Sequence, residues 1–113
     1  MRYIFWVTFR GREYLTADGK SPFRIWLETL DVSARARIQA RVFRFETGNL
    51  GDHRSVGEGV LEARLAFGPG YRIYFGLLGN TVVLLLLGGG KGSQAKDIQK
   101  ARRFWAEFLE GDD

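Results

Sequence analysis

The spacing of apolar side chains changes several times along this chain, and each change marks an element. Residues 2–9 (RYIFWVTF) are dense in aromatic and β-branched side chains and predict a strand. Residues 10–20 are polar, end near Asp18-Gly19 and read as a connection. Ser21-Pro22 carries helix-start chemistry: a hydroxyl that can cap a free N–H, then a proline whose missing N–H costs nothing in a first turn. The helix predicted over residues 23–30 sets Phe23, Trp26, Leu27 and Leu30 on one face. Ser33 signals a second start, after which Ile38, Val42 and Phe45 recur at helical spacing until Gly48-Asn49 closes the run. A couple of residues separate the two helices, so they should fold back as an antiparallel hairpin.

The second half is strand-like. A loop over residues 50–59 leads into apolar runs at 60–67, 71–78 and 81–87, separated by Gly68-Pro69-Gly70 and by Gly79-Asn80, a two-residue hairpin signal that needs positive φ. These runs predict a meander. A three-residue first turn sets Phe67 opposite Tyr71 and gathers Leu61, Leu65, Phe67, Tyr71, Ile73 and Phe75 on one face, whereas a two-residue turn would bury charge. Glu62, Arg64, Arg72 and Tyr74 then share the other, solvent-facing side, with Arg64 across from Tyr74 and Arg72 on the diagonal. In the third strand Leu87 falls opposite Arg72. Ser93 should cap a last helix to about residue 109, with Ile98, Ala101, Trp105 and Phe108 aligned. The expected fold is α+β in one domain of 113 residues: an N-terminal strand, a helical hairpin on a small, mostly antiparallel sheet (β-α-α-β-β-β), and a C-terminal helix.

Composition narrows the chemistry. There is no cysteine and a single histidine, His53, which excludes disulfides, Cys-ligated zinc, Cys nucleophiles and multi-His metal sites. No cofactor motif is present. Residues 1–7 lack a secretory pattern, and the apolar run 81–87 is far short of the ~20 residues that span a bilayer, so a cytoplasmic, non-membrane protein is expected. Seventeen bases face 13 acids, and 13 of the bases are arginine, whose planar fork suits phosphate. Between residues 35 and 103 the excess is sharper, 12 bases against 5 acids, which predicts an anionic partner, either nucleic acid or an acidic protein segment. Arg35, Arg37, Arg41 and Arg44 fall largely outside the apolar stripe of their helix. They are either a solvated face or a contact to nucleic acid, ribosomal RNA included.

Gly88-Gly89-Gly90-Lys91-Gly92-Ser93 lies between a buried strand and a helix start, the context of a phosphate loop. The spacing fails for a nucleotide-triphosphate loop, because Leu85 stands where the first glycine is needed and Gly92 follows the lysine. A more general phosphate site remains, built from free N–H groups, Lys91, Ser93 and Gln94; the alternative is a plain helix start with a solvated lysine. Arg64, Arg72 and Tyr74 are expected to converge with Lys91 at one end of the sheet. Three cations around one spot call for an anion such as a phosphodiester, unless Glu62 merely neutralises one arginine. His53, in the polar segment 51–54, reads as a surface loop residue ahead of a catalytic base.

The segments RIQARVFRFETGNL (37–50), GDHRSVGEGV (51–60), GPGYRIYF (68–75) and LGGGKGSQ (87–94) with Asp97-Ile98 resemble the RelE/HigB-type toxins of type II toxin–antitoxin modules, in the RelE/ParE superfamily. The subgroup they look most like is the addiction-module killer proteins, over roughly residues 23–105. That resemblance implies a metal-independent endoribonuclease that cuts mRNA on the ribosome, using the substrate 2′-OH, and is silenced by a cognate antitoxin protein. It assigns Arg72 as the phosphate-stabilising arginine, with Arg64, Lys91 and Tyr74 as further catalytic candidates. Where some relatives carry lysines on the preceding strand this chain has Val60 and Glu62, and their last-helix tyrosine falls near Asp97 or Ile98, which leaves the general acid or base unassigned, with Tyr74, Gln94 and His53 as the candidates for proton transfer. Related toxins on this fold inhibit gyrase without cutting RNA, which gives a non-enzymatic alternative.

Overall fold

The computed structural model describes residues 9–111, and the strand predicted over 2–9 lies outside them apart from Phe9. The first strand of the described chain is β1 (Arg10–Glu13), in the stretch expected to be a polar connection. It pairs in parallel with β5 (Val82–Gly89), Arg10 opposite Val82 through Glu13 opposite Leu85. Its four residues, RGRE, show no apolar alternation because backbone pairing at a sheet edge, rather than side-chain burial, makes it a strand.

Two helices follow, α1 (Pro22–Glu28) and α2 (Val32–Glu46). Ser21 Oγ caps α1 by accepting from Arg24 N at 3.0 Å. The cap of α2 is Asp31, whose Oδ1 accepts from Ala34 N at 2.7 Å, so the helix begins before Ser33. Then come β2 (His53–Ser55), β3 (Leu61–Arg64), β4 (Arg72–Leu78) and β5, a 3-10 turn at Lys91–Ser93, and α3 (Gln94–Gly111). Strand β2 lies in the expected loop and pairs antiparallel with β3. The sheet is mixed and five-stranded, ordered β1-β5-β4-β3-β2.

Helices cover both faces. Phe23 and Leu27 of α1 and Ile38 and Phe45 of α2 bury Ala63, Leu65, Ile73, Phe75, Val83 and Leu85. On the opposite face α3 sets Ala101, Phe104 and Trp105 against Val60, Tyr74, Leu84, Leu86 and Leu87. The side expected to face solvent is therefore a second core layer. Among the described residues, no helix is long and apolar enough to cross a membrane.

Face assignments agree with the expected alternation, but the register differs. Arg64 stands opposite Arg72, and Glu62, not Arg64, stands opposite Tyr74. The cause is the β3–β4 loop: Leu65 N still bonds Tyr71 O at 2.9 Å, leaving residues 66–70 as a five-residue connection in place of a three-residue turn. The next hairpin also has a longer loop, since Leu78 pairs with Val82 and only Gly79 takes positive φ there. A bulge then skips Leu86, so Tyr74 faces Leu87 and Arg72 faces Gly89 rather than Leu87. That extra residue turns Leu86 and Leu87 to the same core.

Arg41 corrects the picture of a solvated arginine row. It is 7% exposed and donates to the carbonyls of Arg64 (2.9 Å), Leu50 (3.3 Å) and Asp52 (2.7 Å). Those bonds fasten the segment before β2 to the end of β3.

Candidate functional site

Three strand ends meet on one side of the sheet: β3 stops at Arg64, β4 starts at Arg72, and β5 runs out through Gly89 towards Lys91. The β3–β4 loop is tied to this corner by Lys91 N donating to Pro69 O at 3.3 Å. Arg64, Arg72 and Lys91 line one open cleft of about 430 Å³ with Asp52, Tyr71 and Gly70. Convergence of these three cations is what the alternation of the strands leads one to expect. Asp52 was hidden in what reads as loop, and its Oδ1 lies 3.3 Å from Arg64 Nη2.

Arg72 is not the free, solvent-facing group expected of it. Its side chain is only 12% exposed, because α3 covers this face and the register brings Glu62 alongside. One Nη1–H donates to Gly70 O at 2.7 Å, and Nε lies 3.7 Å from Glu62 Oε2, buried and without a hydrogen bond. Glu62 itself is fully buried. Arg54 Nε donates to its Oε1 at 2.9 Å, while Tyr74 Oη and Gln94 Nε2 each donate to Oε2 at 3.0 Å. Burial pushes the Glu62 carboxyl up, but the hydrogen bonds from Arg54, Gln94 and Tyr74 and the Arg54 charge outweigh it and hold the pKa below the ordinary value. The expected three-cation repulsion is thus relieved from within the protein, by Glu62 beneath Arg72 and by Asp52 beside Arg64.

The candidates for proton transfer fare differently. Tyr74 is fully buried, and burial together with the Glu62 charge raises its phenol pKa well above the usual range. Its hydroxyl points at Glu62, not into the cleft. Gln94 is spent on the same carboxylate. Ser93 donates to Asp97 Oδ2 at 2.6 Å and lines a neighbouring cleft with Trp26, Gly88 and Lys100. His53 is opposite Ala63 in β2, and strand parity turns it to the face away from Glu62 and Arg72; its exposed ring is hydrogen-bonded through Nδ1 to Gly51 O at 2.8 Å. Among the described residues, no group of three His, Asp or Glu side chains converges where a metal could be held.

An uncharacterized protein of Haemophilus influenzae (strain ATCC 51907 / DSM 11121 / KW20 / Rd) is 43% identical to this chain over 81 residues, which is 71% of this chain and 82% of that protein. This chain belongs to the family of that protein. No protein-family model and no solved structure matches it.

Sequence reasoning underrated Glu62 and missed Arg54 and Asp52 as parts of the site. Alternation put Glu62 on one strand face with Tyr74, but the burial of that face, and of the carboxylate with it, follows from α3 covering it. Nothing comparable marked Arg54 or Asp52, because their places depend on β2 being a strand.

Proposed function

We propose that this chain is the toxin of a type II toxin–antitoxin module, a RelE/HigB-like endoribonuclease that cuts mRNA on the translating ribosome and is neutralised by a cognate antitoxin. The convergence of Arg64, Arg72 and Lys91 on one open cleft carries this proposal. Such a cleft fits a phosphodiester, and it offers most to the state in which charge on the phosphate oxygens is greatest. In the proposed step the substrate 2′-oxygen attacks phosphorus and the bond to the 5′-oxygen breaks. The 2′ proton passes to solvent, and the leaving oxygen takes one from it. A 2′,3′-cyclic phosphate remains. No step uses a metal.

One observation favours a second proposal. Tyr74 and His53 do not reach the cleft, so neither can transfer a proton there. A toxin that binds its target without cutting RNA, as gyrase inhibitors do, needs the cations alone.

Mapping of mRNA 5′ ends after controlled expression, with DNA supercoiling assayed in parallel, separates the two. The nuclease proposal expects cleavage on ribosomes that persists in EDTA when ribosome integrity is maintained separately, and fails on a message carrying a 2′-deoxy nucleotide at the cut. Cleavage of that message at full rate overturns the 2′-OH mechanism. Toxicity without any cleavage transfers the assignment to the non-enzymatic toxin.

A further inference from the structure

Four side chains from three other elements aim at one carboxylate. Arg54 of β2, Arg72 and Tyr74 of β4, and Gln94 of α3 all present N–H or O–H groups to Glu62 of β3. Every one is a donor, so only a group with two acceptor oxygens and no hydrogen satisfies the cage, and the amide of glutamine would set an NH₂ against donors. The depressed pKa follows from this arrangement. Three of the four partners are within hydrogen-bond distance, while Arg72 Nε stands off at 3.7 Å and keeps a buried, unbonded N–H.

That exception has a geometric reading. An arginine at a strand start has many rotamers, and an anion that binds it must pay to fix them. Here the Gly70 carbonyl holds Nη1 and the Glu62 charge holds the Nε side, which leaves the remaining Nη hydrogens for the cleft. We propose that Glu62 is a positioning residue that fixes the guanidinium of Arg72 at the floor of the cleft for an incoming phosphodiester. This inference rests on the cleft being a phosphate site, as proposed above. Glu62 touches no substrate; it acts through Arg72. Fixing the cation in advance matters because misplacement on the scale of about 1 Å can cost about 100-fold in rate.

Arginine-selective NMR on the full chain gives a test independent of activity. The Arg72 Nε–H should exchange with water much more slowly than that of Arg64, whose side chain is half-exposed. In Glu62→Gln the Arg72 signal should shift and its exchange quicken, with the Arg64 signal unchanged. Binding of a short single-stranded DNA, which offers phosphodiesters without a 2′-OH, is the second readout. Glu62→Gln should weaken it about 10-fold, equivalent to roughly 1.4 kcal/mol. The double variant with Arg72→Ala should bind no worse than Arg72→Ala alone, since the two act as one unit. Full additivity of the two losses would mean that Glu62 acts by holding the fold, and overturns the proposal. If Glu62→Gln does not fold, the parent decides: an Arg72 Nε–H exchanging as fast as that of Arg64 overturns it. Unchanged DNA binding in Arg72→Ala would sink the phosphate-site reading instead, and the NMR comparison would then judge Glu62 alone.

Discussion

Arg41 and Arg44 sit one turn apart on α2 and do different work. Arg44 is exposed; Arg41 is buried and supplies donors to three carbonyls from two other segments. Arg41→Ala leaves those carbonyls without their donor and should cost about 3 kcal/mol, whereas Arg44→Ala should fall within about 0.5 kcal/mol, as read by urea unfolding of both variants. Equal costs would contradict the assignment. Helical spacing puts Arg41 three residues after Ile38 and four before Phe45, on the buried stripe, but its charge reads as solvated, since its acceptors at residues 50, 52 and 64 come together only in the folded chain. Asp52 is a second case. Its pair with Arg64 is exposed on both sides, so it contributes little to stability, yet it puts a negative charge on the wall of a cleft proposed for phosphate. Asp52→Asn should leave the melting temperature nearly unchanged and tighten RNA binding a few-fold at low salt, by about 1 kcal/mol at most. Weaker binding would mean that Asp52 orients Arg64 more than it repels the ligand.

At the scale of elements, alternation carried most of the information, because a helix or strand with a buried face must repeat its apolar side chains. The helices α1 and α2 and the three-strand meander were legible for that reason. Loop lengths were not, and a two-residue error in the β3–β4 register preserves every face while changing every partner. That is why the cations were placed together correctly and Glu62 was not placed beneath them. Strand β1 escaped notice because RGRE is held by backbone pairing, and the bulge at Leu86 is silent within VVLLLLGG. Close packing of helices on the sheet can be tested at its glycines. A Cβ on Gly76 would overlap the ring of Trp105, whereas one on Gly90 would meet nothing nearer than Pro69 Cγ at 3.8 Å. Gly76→Ala should therefore destabilise by about 1–3 kcal/mol as α3 is pushed off the sheet, and Gly90→Ala should not. A similar melting temperature for the two variants would show that α3 is not seated as described.

For the molecule as a whole, buried and partly buried carboxylates couple the fold to pH. Two of them titrate below the ordinary value of 4.5: Glu62, and Glu13, where burial is outweighed by hydrogen bonds from Arg24 and Ser21. A folded-state pKa below the unfolded one means that, on acidification, the unfolded chain takes up its proton first. The stabilisation is complete above the unfolded value and is lost as pH falls from about 4.5 through the lower folded value. Acid should therefore weaken the protein in that window, while alkali near neutrality leaves these two contributions untouched. Glu62 is the larger lever, because its protonation adds a hydrogen to a cage made only of donors and leaves Arg54 and Arg72 without their shared counter-charge, whereas Glu13 and its charge partner, Arg24, are both partly exposed. Urea midpoints measured from pH 7 to pH 3 should show a steep acid limb in the parent. Glu62→Gln should start lower at pH 7 and have a shallower limb, since it has no carboxyl to protonate, and Glu13→Gln should change the limb less. A limb of unaltered steepness in Glu62→Gln would mean that the buried carboxylate is not the group through which acid unfolds this protein.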